Sequence, residues 1–160
     1  KTFKLHKDSI ASHDLQRSEI LQLKAGVDVK RSSGEVFFVK DHCEPLKPAI
    51  RYTYSGDTRP CESVANSANG ADVLYHEATF LQALASTAKS TGHSTAEQAA
   101  QLATDAGVQL LILGHLSSRY RDESFVLNEA KTIHPNVVLA NEGMRIRIAP
   151  GENPTVTYLE

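Results

Sequence analysis

Cysteine is scarce in this 160-residue chain: only Cys43 and Cys61 occur, and they do not form a CxxC pair. That usage argues against a disulfide scaffold and fits a reducing cytoplasm. Long apolar runs are missing too. None approaches the roughly 20 residues of a membrane-spanning helix, so no membrane association is expected, and no secretory leader is visible. A strong charge of one sign is also lacking. Seventeen Lys/Arg stand against 19 Asp/Glu, a net charge of −2, which excludes a wholly basic nucleic-acid coat. The sum conceals some asymmetry: residues 1–31 carry seven Lys/Arg and four Asp/Glu. That mildly basic segment reads as solvated surface, with phosphate contact as its alternative. Several catalytic signatures are absent as well. There is no GxSxG elbow, no GxxxxGK[ST] phosphate loop and no GxGxxG, and neither cysteine has the surroundings of a nucleophile.

What is present is ordinary globular composition, 41% hydrophobic and 22% charged. A chain of this length is enough for one core, burying roughly 68–70% of its unfolded surface. Residues 8–25 have the pattern of a short helical region ending at Gly26. The stretch from Val27 to Val39 predicts a hairpin turning at Ser32-Ser33-Gly34. Residues 41–49, broken by Pro45 and Pro48, read as a loop. From Ile50 the pattern alternates. Strand candidates IRYTYSGD, ADVLYHEA, VQLLILGH, NVVLANEG and MRIRIAP are separated by helical segments, as expected of an α/β fold with a mostly parallel sheet. Ser94 and Glu97 have capping-box spacing ahead of a helix over 95–106, which Gly107 stops.

In open parallel sheets, functional groups collect beyond the carboxyl ends of the strands. The candidate strands end in Asp57, in His76-Glu77, in His115 and in Asn141-Glu142, and His93 falls at a helix entry facing the same edge. Each has a bland alternative: a turn-closing Asp57, an exposed strand end at His76-Glu77, a packed helix-entry ring at His93, a hydrogen-bonded edge histidine at His115. Together they are hard to assign to turn chemistry alone. Asp and His are ligands for a metal such as zinc, and a Glu beside a His suits an oriented general acid. Metal-assisted hydrolysis is the chemistry left standing.

The segments YSGDTRPC, LYHEATF, GHSTAEQAA and LILGHLSSRY, in this order and spacing, resemble the C-terminal half of the ribonuclease Z family of the metallo-β-lactamase superfamily. The resemblance covers about Ile50 to Ile148, and more weakly residues 1–49, which are similar to the segment around that family's tRNA-gripping arm. It implies the second half of an αββα sandwich over residues 50–160, a mixed or parallel sheet with helices, preceded by an arm-like helical segment and hairpin over 1–49. It implies a zinc-dependent endoribonuclease that removes the 3′ trailer of precursor tRNA and leaves a 3′ hydroxyl. By the same resemblance Asp57 bridges two zinc ions, His115 is a terminal ligand of one, and Glu77 with His93 relays a proton to the leaving 3′ oxygen. Arg119 lies near the scissile phosphate. The family's HxHxDH metal loop is not in the chain, where no two histidines are separated by a single residue. Two ligands do not make a four-coordinate zinc site. The chain, which starts at Lys1, is therefore expected to be inactive without an N-terminal half, whose packing face it would leave exposed. A homodimer is the expected state of the complete enzyme. Two rival readings are a related metallo-β-lactamase-fold phosphodiesterase and a non-catalytic module that binds RNA or protein.

Overall fold

The computed structural model describes residues 2–159, so the two chain ends, at 1 and 160, of the expected segments lie outside the described residues. The chain divides into two compact units, Lys1–Pro48 and Ala49–Glu160.

The first unit contains β1 (Phe3–Leu5), α1 (Lys7–His13), α2 (Arg17–Lys24), β2 (Val29–Lys30), β3 (Val36–Phe37), α3 (Val39–His42) and β4 (Cys43–Pro45). The helical pattern over 8–25 is thus two helices. Asp14 breaks it with a left-handed φ of 44°, a conformation Asp tolerates better than most residues. Arg31 holds the break, donating to the carbonyls of His13 and Asp14 and to the Glu19 carboxylate. The Glu19 carboxyl is pulled down to about 2, first by the Arg31 hydrogen bond and then by the Gln16 amide. The hairpin is shorter than the valine pattern predicts. Val29 pairs with Phe37 and Lys30 with Val36, whereas Val27 is exposed and Val39 opens a helix. Residues 43–45 are a strand rather than loop, antiparallel to β1. Pro45 is tolerated there because an edge position needs no N–H. Leu5, Leu15, Leu23, Val29, Phe37 and Cys43 form this unit's own core.

The second unit is built on four parallel strands in the order β5 (Tyr52–Tyr54), β6 (Val73–Glu77), β7 (Leu110–Gly114) and β8 (Val137–Leu139). Between them run α4 (Glu62–Ala68), α5 (Ala85–Thr91), α6 (Ala96–Asp105) and α7 (Ser124–Lys131). Leu74, Leu111, Leu113 and Val137 face the helices, whose inner stripes are small: Ala99, Ala100, Ala103 and Ala130 are all fully buried. Alanines let the α6 backbone lie close on the sheet. The opposite face, with Val73, Leu110 and Ile112, packs on Met144, Ile146, Ile148 and Val156. That cover corrects one expectation. MRIRIAP does not extend the parallel sheet; β9 (Met144–Arg147) pairs antiparallel with β10 (Thr155–Tyr158). A parallel neighbour needs a crossover of a dozen or more residues, and only four residues separate β8 from β9. At the sheet edge Tyr52 and Tyr54 remain exposed, Tyr54 stacked on Tyr75.

The cap of α6 is displaced by one residue from the Ser94–Glu97 expectation. Thr95 and Gln98 form the capping box, with the Thr95 hydroxyl accepting from the Gln98 amide. Ser94 instead donates to the Thr58 carbonyl at 2.6 Å, which ties the helix entry to the loop after β5. Among the described residues no helix is long and apolar enough to cross a membrane.

Strand alternation decides where His76 goes. It lies on the same face as Leu74, fully buried, its Nδ1 donating to the Glu77 carbonyl and its Nε2 without a hydrogen-bond partner among the described residues. Burial pushes its pKa down, against a smaller upward pull from Glu77. In that window the unfolded chain binds the proton that the folded chain refuses, so stability rises with pH. The contribution is fully present above the unfolded value near 6.5 and declines as pH falls below it. The thermal midpoint is therefore expected to be lower at pH 5 than at pH 7.5. His76→Asn, which keeps a donor near the Nδ1 position, narrows that difference; an undiminished difference in the variant assigns it elsewhere.

Candidate functional site

Three segments that follow strands meet at one edge of the sheet. The loop after β5 carries Asp57 and Thr58, the end of β6 carries Glu77 and Thr79, and the end of β7 carries His115. His93 joins them from the turn between α5 and α6, where Gly92 ends α5 with a φ of 80°.

Glu77 organises the cluster. Its side chain is fully buried, and both carboxylate oxygens accept only from donors. Oε1 takes the Thr58 amide at 2.8 Å and His93 Nδ1 at 2.8 Å. Oε2 takes the Thr79 hydroxyl at 2.7 Å and the Thr79 and Ser94 amides at 3.2 Å. Burial alone raises a carboxyl pKa; here the hydrogen bonds from Thr79, Ser94, His93 and Thr58 outweigh it, and Glu77 is held below its ordinary value. An ionised carboxylate fixed in this way orients the His93 ring. The nitrogen left to His93 is Nε2, on a half-buried side chain.

Thr79 links the two histidines. Its hydroxyl proton goes to Glu77, so the oxygen accepts from His115 Nδ1, 2.8 Å away. That leaves His115 Nε2 facing Asp57 Oδ2 across 3.3 Å. Two acceptors this close repel unless a proton or a cation lies between them. The spacing suits a metal, since bonds of about 2.0–2.1 Å in a tetrahedral site put neighbouring ligand atoms roughly 3.3 Å apart. Glu77, His93 and His115 also offer ligand atoms within 4.8 Å of one another. Glu77 and His93, however, are already engaged with each other, which leaves Asp57 and His115 as the pair free to hold an ion.

His115 sits in a left-handed conformation, φ 53°, uncommon outside glycine although His adopts it more readily than most residues. The preceding Gly114 is required for a different reason. A side chain there would collide with the ring and hydroxyl of Tyr75.

Of the other positions marked in the sequence, Arg119 reaches the cluster indirectly. Its guanidinium lies 4.8 Å over the Phe80 ring, whose edge faces His93, and its Nε donates to Ser117. His76 is turned into the core, as described above. Asn141 donates its amide to the Leu139 carbonyl, and Glu142 is exposed. Sequence reasoning missed Thr79, although its place two residues after Glu77 puts it on the same side of the chain. It also missed the Thr58 and Ser94 amides, which no side-chain pattern reveals.

Comparison with known proteins gives three findings. A family model described as "Beta-lactamase superfamily domain" matches residues 25–116. The chain is 42% identical over 142 residues to a protein named ribonuclease Z from Bacteroides thetaiotaomicron, covering 89% of this chain and 45% of the relative. It is 43% identical over 144 residues to a ribonuclease Z from Cytophaga hutchinsonii, covering 89% and 46%. The chain thus spans less than half the length of these curated relatives. Among solved structures, the metallo-β-lactamase fold protein YhfI from Bacillus subtilis matches with a TM-score of 0.50 at 20% identity, over 82% of this chain and 48% of that one. That likeness concerns the fold alone.

Proposed function

The chain belongs to the beta-lactamase superfamily, and on that premise we propose that it is the C-terminal part of a zinc-dependent endoribonuclease that removes the 3′ trailer of precursor tRNA. The observation that carries this reading is the buried Glu77 carboxylate gripping His93 Nδ1, with His93 Nε2 left available beside the Asp57–His115 pair. The names of the relatives at 42% and 43% identity support the choice of substrate.

Each residue has a task in this scheme. As water adds to the phosphorus, His93 gives a proton from Nε2 to the departing 3′ oxygen, which leaves a 3′ hydroxyl on the tRNA and the phosphate on the trailer. Glu77 holds the imidazole in one orientation, with Nε2 turned to the leaving oxygen. Thr79 keeps His115 from rotating and fixes the tautomer whose Nε2 faces Asp57. Arg119, steadied on Phe80, faces the phosphate. Asp57 and His115 would hold a divalent ion, and zinc there would supply Lewis-acid polarisation of the scissile phosphate. The remaining ligands come from an N-terminal half, because two donors are too few for a four-coordinate site.

Metal content separates the two pairs of residues. In the enzyme assembled with its N-terminal half, Asp57→Ala and His115→Ala lower bound zinc, measured by plasma mass spectrometry of the folded protein. Full zinc occupancy in both variants overturns the assignment of this pair.

A further inference from the structure

A cavity of about 430 Å³ opens beside His93, between the loop after β5 and helix α5. It lies within the range of small-molecule pockets, roughly 300–1,000 Å³. Arg59 comes from the loop and Lys89 from α5, while Pro60 and Ala85 add apolar wall and Gln98 a neutral amide. Among the described residues no acidic side chain lines it. Two cations without an anion suit a phosphate-bearing ligand, and the apolar walls call for something flat and unsaturated beside the phosphate. A nucleotide has both parts, and protein sites for single strands combine the same two contacts.

The position of His93 decides which nucleotide. Its Nδ1 is held by Glu77, so the nitrogen it can offer is Nε2, which the preceding section assigns to the leaving 3′ oxygen. That oxygen belongs to the nucleotide on the 5′ side of the cut. We infer that the Arg59–Lys89 cavity seats the last nucleotide of the mature tRNA, Lys89 and Arg59 binding its phosphate and Pro60 and Ala85 packing on its base. Ser86 and the Gln98 NH2, the Gln98 Oε1 being taken by the Thr95 amide, are then the neutral groups able to read the edge of that base. The inference rests on the tRNA reading above and adds specificity-determining residues to it.

A binding cycle tests it in the assembled enzyme. The probes are a mature tRNA ending at its discriminator nucleotide and the same tRNA one nucleotide shorter, compared by fluorescence anisotropy. For the unaltered enzyme, removing the nucleotide weakens binding roughly tenfold, the loss of one charge-assisted contact set. Lys89→Glu weakens binding of the longer tRNA by a similar factor and makes the shortening nearly silent, because both changes remove the same contacts. Lys131→Glu, an equal charge change on the α7 surface, leaves the tenfold step intact. If Lys89→Glu weakens both tRNAs equally, the cavity does not hold the terminal nucleotide and its cations act only at long range. Sensitivity of the variant to the first trailer base instead assigns the cavity to the other side of the cut and equally overturns the inference. A coupled loss of binding in an enzyme that fails to cut precursor tRNA retains the cavity assignment and refutes the nuclease reading alone.

Discussion

His93→Ala lowers the rate of trailer removal by roughly 10²–10⁴-fold, the usual contribution of a positioned general acid, while zinc content is unchanged. The size of the effect follows from the company His93 keeps. Its Nδ1 is 2.8 Å from a carboxylate that is fully buried and held by four other donor groups. Glu77 therefore has no freedom to follow a moving ring, and His93 is held in a single orientation. Truncation removes the proton donor and leaves the Asp57–His115 pair in place. The check is single-turnover cleavage of a precursor tRNA with metal analysis on the same sample. A variant that loses its zinc along with its activity shows His93 to be a ligand, as the compact Glu77–His93–His115 grouping alone would also allow. A leaving group with a lower pKa needs less protonation, so substituting sulfur for the 3′ oxygen restores much of the lost rate if the assignment is right.

Glu77→Ala costs about 3–5 kcal/mol of folding stability, because several buried donors lose their acceptor at once, and Glu77→Gln costs about 1–3 kcal/mol. The second value is the more informative. Glutamine preserves the shape, yet every neighbour of both carboxylate oxygens is a donor. Whichever way the amide is turned, its NH2 meets an N–H or O–H, and at least one buried donor loses its acceptor. The loss spans three segments at once, since the Thr58 loop, the end of β6 and the entry to α6 all depend on this one side chain. Denaturant midpoints measure it directly. Stability unchanged in Glu77→Gln is incompatible with a carboxylate that receives donors alone. His93→Ala, by contrast, removes only one donor to Glu77 and is expected to move the midpoint much less.

The second unit was largely legible in the sequence, and the reason lies in its periodicity. Leu110 to Leu113 are buried on both faces, so an uninterrupted apolar run marked a central parallel strand. The capping-box spacing and Gly107 marked the helix at 95–106, and its buried alanines lie on that sheet. Short elements were harder. The break at Asp14 depends on Arg31, seventeen residues away, and β4 exists because it pairs with β1, so neither carries a strong local signal. The same distinction holds at the site. Asp57, Glu77, His93 and His115 were visible as ionisable residues at strand ends and a helix entry. The proton order among them depends on Thr79 and on backbone amides of Thr58 and Ser94, which only the folded chain brings to Glu77. At Gly114 the need for space comes from Tyr75, and the unusual backbone belongs to His115.

The central claim is that this chain supplies the proton-relay pair and two metal ligands of a tRNA 3′ endonuclease. Mapping the ends of a precursor tRNA after incubation with the chain, its complementary N-terminal half and zinc tests that claim most directly. The predicted result is one cut just 3′ of the discriminator nucleotide, leaving a 3′ hydroxyl on the tRNA and a phosphate on the trailer, and abolished by a chelator. Intact precursor tRNA in a preparation that hydrolyses bis(p-nitrophenyl) phosphate at a robust rate would contradict it.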